Sequence, residues 1–247
     1  RPKARSGHRI VCDHKNLYSY GGFNPCISDE VWKFNLVTQQ WKRLPGQDNM
    51  PNELASNAVI LRGNALMVYG GTGVPFGHSC SNHLYVCNVN DGKMYIVPAK
   101  GELPEPQYGQ ALVCHGSYLY TVGGTTGYEY TCDIHRFDLR TGVWEKTNKW
   151  IILNTYGDND DNTVPEPRRC HGSVQYTDEK SGITSVVISG GYNGDHVFSD
   201  VWRLDLKLLQ WTCLRKCILP CPVYFHSAAL TPEGRMYTFG DWMKLCL

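Results

Sequence analysis

Four short, apolar, β-prone stretches of the chain each end in a pair of glycines. They read NLYSYGG, ALMVYGG, YLYTVGG and SVVISGG, with the pairs at Gly21–Gly22, Gly70–Gly71, Gly123–Gly124 and Gly190–Gly191. The first glycines of successive pairs lie 49, 53 and 67 residues apart, and a fifth stretch, MYTFGD, has its glycine, Gly240, after 50 more. A recurrence near 50 residues predicts a repeat architecture and not an isolated motif.

A second segment follows each glycine pair and repeats as well. The four copies read EVWKFNLVTQQWKRL, HLYVCNVNDGKMYIV, DIHRFDLRTGVWEKT and DVWRLDLKLLQWTCL, and they align without a gap. Three copies carry a tryptophan near their end, Trp41, Trp144 or Trp211, and the second copy has Met94 there. Two apolar runs joined by a polar turn predict a hairpin, so each unit should supply four strands.

The repeats predict a single domain over residues 1–247. Its units cover about 4–50, 51–102, 103–148 and 165–218, with a partial unit at 219–240 and an irregular linker at 149–164. A four-stranded sheet cannot bury both of its faces alone, so neighbouring sheets must stack. The expected fold is all-β, a propeller of about four complete blades plus a partial fifth.

The glycine pairs are interpreted as structural. Glycine-rich turns can also cradle phosphates, but no G-K-[ST] follows any pair and no helix with dinucleotide-binding spacing does. Each pair ends a strand where φ must turn positive or where a Cβ has no room. Trp41, Trp144 and Trp211 are expected to fill the space between blades with apolar area.

The double glycine followed by the spaced aromatic residue and tryptophan resembles the kelch repeat, and the resemblance covers residues 4–240. Loop strings such as GGTGVPFG, GGTTGYEYTCDIH, RRCHGSVQ and GGYNGDHVFSDVWRL further resemble one branch of that family. The branch implies about six repeats followed by a helical segment that docks on elongin B/C and cullin-2. Because DWMKLCL follows the fifth partial unit, we expect a shortened form that lacks a repeat and this docking segment.

The resemblance implies a non-enzymatic interaction module. The resemblance to this branch implies the substrate-recognition subunit of a cullin-2/elongin ubiquitin ligase. That subunit is expected to bind the C-terminal peptide tails of target proteins. The same branch is implied to bind protein phosphatase 5 and to promote oxidative-stress kinase signalling. The alternative is a kelch-type enzyme, either a copper radical oxidase or a sialic acid mutarotase, and bound copper would distinguish the two classes.

Composition and charge exclude several partners. Lys+Arg 24 against Asp+Glu 23 gives a formal net charge of +1, and no stretch clusters basic residues, so nucleic acid is not expected. No apolar run approaches the roughly 20 residues that span a bilayer, so no membrane contact is expected. Eleven cysteines form an odd set, which predicts free thiols in a reducing compartment, the cytoplasm or nucleus.

The candidate binding residues lie in loops, where a propeller carries its function. Matching positions precede the first strand of each unit, and further tyrosines follow two of the glycine pairs. The peptide-binding candidates are Ser6, Tyr108, Tyr128, Arg169, Tyr192 and Tyr224. Tyrosine offers rigid apolar area with a polar tip, and the Arg169 guanidinium can grip a carboxylate with two hydrogen bonds. For each tyrosine, packing at a blade edge is the alternative.

No catalytic residue, metal or cofactor is predicted. His78, Cys80 and His83 are interpreted as a polar loop rather than a zinc site. The run at Asp158, Asp160 and Asp161 lacks the acidic ligand that ends a calcium loop, so it is interpreted as solvated linker. Three histidines recur two residues past the loop candidates, and they are expected to be buried and hydrogen-bonded: His8, His171 and His226.

Overall fold

The computed structural model describes residues 1–24, 26, 28–45, 50–140, 148–157 and 163–240. These residues form nineteen strands and no helix. None of them therefore belongs to a helix long and apolar enough to cross a membrane. Trp144, the acidic run at 158–161 and the residues after Gly240 lie outside the described part, and so do the predictions that concern them.

The strands form four blades and a smaller fifth sheet. Blade 1 holds β1 (Arg9–Cys12), β2 (Asn16–Tyr20), β3 (Val31–Asn35) and β4 (Gln40–Arg43). Blade 2 holds β5 (Ala58–Arg62), β6 (Ala65–Tyr69), β7 (Leu84–Asn88) and β8 (Met94–Val97). Blade 3 holds β10 (Ala111–His115), β11 (Tyr118–Thr125), β12 (Tyr130–Asp138) and β13 (Asn148–Leu153), and β9 (Ala99–Gly101) adds to its outer edge. Blade 4 holds β14 (Gly172–Thr177), β15 (Thr184–Ser189), β16 (Val201–Asp205) and β17 (Gln210–Cys213), and the fifth sheet holds β18 (Ser227–Leu230) and β19 (Met236–Phe239).

The blades are arranged side by side around a common axis. Within each blade neighbouring strands are antiparallel and follow chain order, except that β9 pairs parallel with β13. The innermost strands contact one another in sequence: β1 with β5, β5 with β10, β10 with β14 and β14 with β18. The prediction of an all-β propeller with four blades and a partial fifth is confirmed.

Three hydrophobic cores lie between consecutive blades. Strand β6 shows how the strand period builds them: Leu66 and Val68 pack toward blade 1, whereas Met67 and Tyr69 pack toward blade 3. Because successive side chains of a strand point to opposite faces, one apolar strand supplies both neighbours. All four of these side chains are buried. The β-prone stretches before the glycine pairs are therefore mostly apolar and do not alternate strictly between apolar and polar residues.

The outer hairpins pair one residue of the third strand with a large side chain of the fourth. Phe34 faces Trp41 in blade 1, and Leu204 faces Trp211 in blade 4. In blade 3 the residue opposite Phe137 is Trp150, which is fully buried and lies 4.8 Å from the Phe137 ring centroid. Trp150 therefore fills the position that the sequence alignment assigned to Trp144.

This register corrects the irregular linker predicted at 149–164. Its first residues belong to β13, which closes blade 3 and also pairs with β9 through Trp150 and Gly101. The gapless alignment placed the fourth strand too early because the connection between β12 and β13 is longer than the matching turns of the other blades. The apolar run WIIL at 150–153 was the signal for the strand.

The glycine pairs make close contacts between blades, and the pair at 190–191 illustrates the geometry. Both residues have positive φ, +57° and +107°. A Cβ on Gly190 would lie 2.4 Å from the Val223 carbonyl oxygen, and the Gly191 N–H donates to that same oxygen at 2.9 Å. The second glycine of each other pair also donates to the next blade, to the carbonyls of Leu54, Gln107 and Arg168. These contacts leave no room for a phosphate against the pairs.

Candidate peptide-binding face

One end of the propeller is formed by the loops that enter the blades, and we call it the loop face. Each innermost strand is preceded by a short segment whose middle residue has positive φ: Gly7, Ser56, Gly109, Cys170 and Phe225. The residue before each of these turns therefore occupies an equivalent position on the rim. These rim residues are Ser6, Ala55, Tyr108, Arg169 and Tyr224.

In four blades the rim residue is held by backbone pairing to the residue just after the glycine pair that ends the second strand of the same blade. Arg169 pairs with Tyr192 through two hydrogen bonds, Arg169 N–H to Tyr192 O at 2.9 Å and Tyr192 N–H to Arg169 O at 3.1 Å. Ser6 pairs with Phe23 in the same way. The backbone of the loop face is thus fixed by the fold, and its side chains are free to differ.

Arg169 lies at the centre of a group of aromatic rings. Its guanidinium carbon is 5.3 Å from the ring centroid of Tyr108, 5.4 Å from that of Tyr192 and 5.6 Å from that of Phe225. A cation over ring faces at this distance is attracted by the ring quadrupole, more strongly when it is partly desolvated. Arg169 is half-buried, and its Nε is buried without a hydrogen-bond partner.

No carboxylate forms an ion pair with Arg169 among the residues that the structure describes. Its neighbour Arg168 differs in this respect, because it is fully buried and binds both oxygens of Asp200. One Nη of Arg169 donates to Sγ of Cys170 at 3.8 Å, and Tyr130 is a further hydrogen-bond partner. Arg169 therefore combines a partly dehydrated positive charge with donors that no carboxylate of the described residues occupies, which is the chemistry that binds an anion.

The rings continue beyond Arg169 as a connected surface. The ring centroid of Tyr192 lies 5.3 Å from that of Tyr224 and 6.1 Å from that of Tyr130. The ring centroid of Tyr224 lies 5.1 Å from that of Phe225. Tyr192 and Tyr224 are half-buried, and Phe225 is 44% exposed. Partly exposed rings beside a cation can contact the apolar parts of an extended peptide.

Four of the predicted residues come together, and two do not. Arg169, Tyr192, Tyr224 and Tyr108 form one cluster, which we call the Arg169 cluster, together with Tyr130 and Phe225. Tyr108 is only 5% exposed, so it supports the cluster from below, and burial raises the pKa of its hydroxyl.

Tyr128 and Ser6 lie apart from this cluster. Tyr128 is 76% exposed and shares a hydrogen bond of 3.2 Å with Nδ1 of His78 on the loop of blade 2. Ser6 is exposed on the rim of blade 1, where its backbone pairs with Phe23. Equivalent sequence positions are spread around the ring, so repeat position alone does not tell which of them meet.

Sequence reasoning missed Tyr130 and Phe225. Phe225 follows the rim residue Tyr224 and has a φ of +58°, which turns its ring toward Arg169. The sequence signal was the position of Phe225, which matches Gly7, Gly109 and Cys170 in the other blades. Tyr130 begins β12, and nothing in its local sequence indicates that it faces Tyr192.

The recurring histidines are buried between blades. Burial lowers the pKa of His171 to about 3 and that of His226 to about 4, so both rings are neutral at pH 7. The Ser189 hydroxyl lies 3.0 Å from Nε2 of His226. His171 and His226 are thus buried, as the sequence predicts.

No three residues of the types His, Cys, Asp and Glu lie close enough together to hold a metal ion within the described ranges. His78 and Cys80 belong to this part of the chain, and His78 contacts Tyr128 instead. Among the described residues, the loop face therefore presents the Arg169 guanidinium surrounded by aromatic rings, and it contains no assembled metal centre.

The fold and this loop face define a class. A family model described as the KLHDC2/KLHL20/DRC7 Kelch-repeats domain matches residues 1–149, and the chain belongs to the kelch-repeat family of β-propeller protein-interaction modules. Its sequence is similar to Kelch domain-containing protein 10 from several animals.

The similarity extends over nearly all of the chain. The Xenopus tropicalis protein is 37% identical, with 99% of this chain and 72% of the frog protein covered. The human protein is 35% identical, with 99% of this chain and 67% of the human protein covered. The Drosophila melanogaster homolog is 36% identical over 97% of this chain, which spans 52% of the fly protein.

Proposed function

We propose that the loop face binds the C-terminal tails of target proteins, with Arg169 holding the terminal carboxylate. The observation that carries the proposal is the half-buried Arg169 guanidinium, which is surrounded by rings and has no carboxylate partner among the described residues. A free carboxylate is the only negative group that every unmodified protein tail presents.

The energetics favour a charged tail end over an internal peptide. Arg169 gives up part of its hydration in the folded protein, so a carboxylate that binds it recovers charge-assisted hydrogen bonds at little further desolvation cost. Tyr192 and Tyr224 flank the cation and offer apolar area to the residues before the carboxylate. An amidated tail lacks the charge and offers one acceptor oxygen instead of two, so it cannot form the paired, charge-assisted hydrogen bonds of a carboxylate with a guanidinium.

A peptide-binding measurement tests this role. A mixed-sequence library of fluorescent octapeptides with free-acid ends is titrated against the protein, and the same peptides with amidated ends serve as the matched probe. We expect the free acids to bind and Arg169→Ala to weaken them by about 2 kcal/mol, as for a central interface residue. Arg203→Ala, on the exposed face of β16, should leave the affinity unchanged.

Equal affinity for free-acid and amidated peptides would refute the role of Arg169. Equal loss in Arg169→Ala and Arg203→Ala would show a general charge effect instead of a site. Arg169→Lys keeps the charge but not the planar pair of donors, so partial recovery is expected from it.

We further propose that this binding serves a cullin-2 ubiquitin ligase, in which the protein recognises substrates and elongin B/C provides the link. The resemblance of the loop strings RRCHGSVQ and GGYNGDHVFSDVWRL to one kelch branch supports this assignment. Both strings contribute to the Arg169 cluster, through Arg169 and Tyr192. Co-precipitation of elongin B/C and cullin-2 with the natural protein from cells tests it, and their absence would contradict the ligase role.

The same branch supports a link to protein phosphatase 5 and to oxidative-stress kinase signalling in the cytoplasm or nucleus. A pull-down of purified phosphatase with the wild-type protein tests the contact directly. We expect Arg169→Ala to retain phosphatase binding if the enzyme binds outside the Arg169 cluster. Absence of binding by the wild-type protein would contradict the link.

A further inference from the structure

A cavity of about 510 Å³ opens at the end of the propeller opposite to the loop face. The innermost strands start at the loop face and run away from it, so their last residues and the following turns form this other end. Cys12, Arg62, Cys114 and Gly116 lie there and line the cavity. Four blades contribute to it, because Gln175 of blade 4 is also part of the lining.

The wall of the cavity combines apolar surface with one cation. Val11, Val59 and Leu61 are half-buried side chains along β1 and β5. Among the described residues that line the cavity, Arg62 is the one with a charged side chain. Arg62 forms no ion pair with a carboxylate of the described residues. A concave apolar site of several hundred Å³ with a few convergent polar groups is the usual form of a small-molecule site.

Two thiols lie beside the cation. One Nη of Arg62 donates to Sγ of Cys114 at 3.5 Å, and Cys12 lines the same cavity. Gln175 lies beside the backbone of Cys114, because the Cys114 backbone N–H donates to the Gln175 side-chain oxygen at 3.2 Å. A ligand held by Arg62 would therefore lie directly against the sulfur of Cys114.

We propose that this cavity binds small organic carboxylates, with Arg62 holding the carboxylate and the strand residues of blades 1 and 2 contacting the apolar body. The site is independent of the peptide-binding proposal, since it lies at the opposite end of the axis and shares no residue with the Arg169 cluster.

The thiol of Cys114 provides the reporter for a test. Iodoacetate and iodoacetamide alkylate a thiolate by the same step: the sulfur attacks the methylene carbon, the S–C bond forms, iodide leaves and the thiol proton passes to the buffer. The two reagents differ in charge. We expect the ratio of iodoacetate to iodoacetamide rates to be about five- to tenfold higher at Cys114 than at Cys26, an exposed thiol outside the cavity.

Peptide mass spectrometry on the full chain gives both rates for each cysteine. Arg62→Gln should lower the ratio at Cys114 to that of Cys26, and Arg62→Lys should retain most of it. Arg62 is exposed, so these variants are expected to fold, and circular dichroism checks this. An unchanged ratio in Arg62→Gln would overturn the role of the cation.

Competition in the wild-type protein gives an answer that does not depend on any variant. We expect 2-naphthoate to slow alkylation of Cys114 and Cys12 at concentrations where 2-naphthamide, which has the same rings without the charge, has little effect. Equal protection by the two compounds, or protection by neither, would overturn the proposal of a carboxylate site. Arg169→Ala should leave all of these rates unchanged.

Discussion

The rims of blade 1 and blade 4 are built on the same internal frame. In blade 1, Arg5 donates to Oε2 of Glu30 at 2.9 Å and also to the carbonyl of Gly21. In blade 4, Arg168 donates to Oδ2 of Asp200 at 3.0 Å and to the carbonyl of Gly190. Each arginine thus ties the rim to the glycine pair and to the start of the third strand of its own blade.

The side chains that the two frames present are different. Blade 1 places Ser6 on the rim, paired with Phe23, which is 39% exposed. Blade 4 places Arg169 there, paired with Tyr192. In both blades the buried arginine holds the backbone of the rim, whereas the residue after it differs in charge and size. The side chain on the rim can therefore change without a change in this internal frame.

The largest expected effect comes from removing the frame of blade 4. Arg168 is fully buried, lies 4.1 Å over the Phe198 ring and makes two hydrogen bonds to Asp200. Arg168→Ala leaves a cavity and a partly buried carboxylate without its cation, with the Trp202 indole N–H still donating to Asp200, so we expect a loss of about 4 kcal/mol in the free energy of unfolding. Urea unfolding followed by tryptophan fluorescence measures it.

Two variants place this value in context. Arg5→Ala removes the equivalent contact in blade 1 and should destabilise in the same direction. Arg169→Ala removes the neighbouring side chain, which has no ion pair among the described residues, and should cost less than about 1 kcal/mol. Similar effects of Arg168→Ala and Arg169→Ala on stability would contradict the distinction between the internal frame, held by Arg168, and the rim residue Arg169.

The second prediction separates backbone strain from close contact in blade 4. Gly190 and Gly182 have similar φ values, +57° and +68°, but a Cβ on Gly190 would lie 2.4 Å from a backbone oxygen, whereas no atom lies within 4 Å of a Cβ on Gly182. We expect Gly182→Ala to cost about 1 kcal/mol, for the left-handed conformation alone. Gly190→Ala should cost about 3 kcal/mol, because the contact between blades must open as well.

The same urea measurement decides between the two contributions. Equal losses for the two alanine variants would show that φ alone explains the glycine and that the contact with Val223 relaxes freely. A larger loss for Gly190→Ala would show that close packing between blades, and not φ alone, requires glycine at these positions. The blade 1 counterpart, Gly21→Ala, faces the Leu54 carbonyl oxygen and should behave like Gly190→Ala.

The features that the sequence predicted well are those that local chemistry decides. The glycine pairs, the apolar strands before them and the hairpins behind them repeat with a regular spacing, so the blades could be predicted from one chain. The position of Trp150 could not, because the connection before β13 is longer than its counterparts and moves the fourth strand along the sequence. An alignment without gaps cannot represent a connection that is longer in one repeat than in the others.

The side-chain arrangement on the loop face was predictable only in part, for a geometrical reason. The repeat identifies rim positions, and the structure places Arg169 and Tyr224 at equivalent positions on the loop face. It does not give the distances between blades, so Ser6 was grouped with residues that lie elsewhere on the ring. Phe225 and Tyr130 meet Arg169 and Tyr192 only through the packing of separate blades. The Arg62 cavity, built from the ends of four strands, was invisible for the same reason.

The smallest expected effect compares the buried histidines of the two rims as the pH falls. Burial lowers the pKa of His171 to about 3, with Arg168 and Arg9 contributing, and burial also lowers the pKa of the half-buried His8. The unfolded chain has a histidine pKa near 6.5, so it takes up a proton before the folded protein does. The stability contributed by neutral His171 is therefore complete above about pH 6.5 and is lost as the pH falls toward 3.

At pH 5 this loss amounts to about 2 kcal/mol for His171. Asparagine occupies the equivalent position of blade 2, at Asn57, so His171→Asn removes the titrating group with a side chain that this frame accommodates. We expect the difference in unfolding free energy between pH 7.5 and pH 5 to shrink by about 2 kcal/mol in His171→Asn, and by less in His8→Asn because His8 is less buried. Both variants could instead reduce the pH dependence of the unfolding free energy equally. That result would mean that His171 is no more buried than His8 in solution, and it would contradict the closer packing around His171.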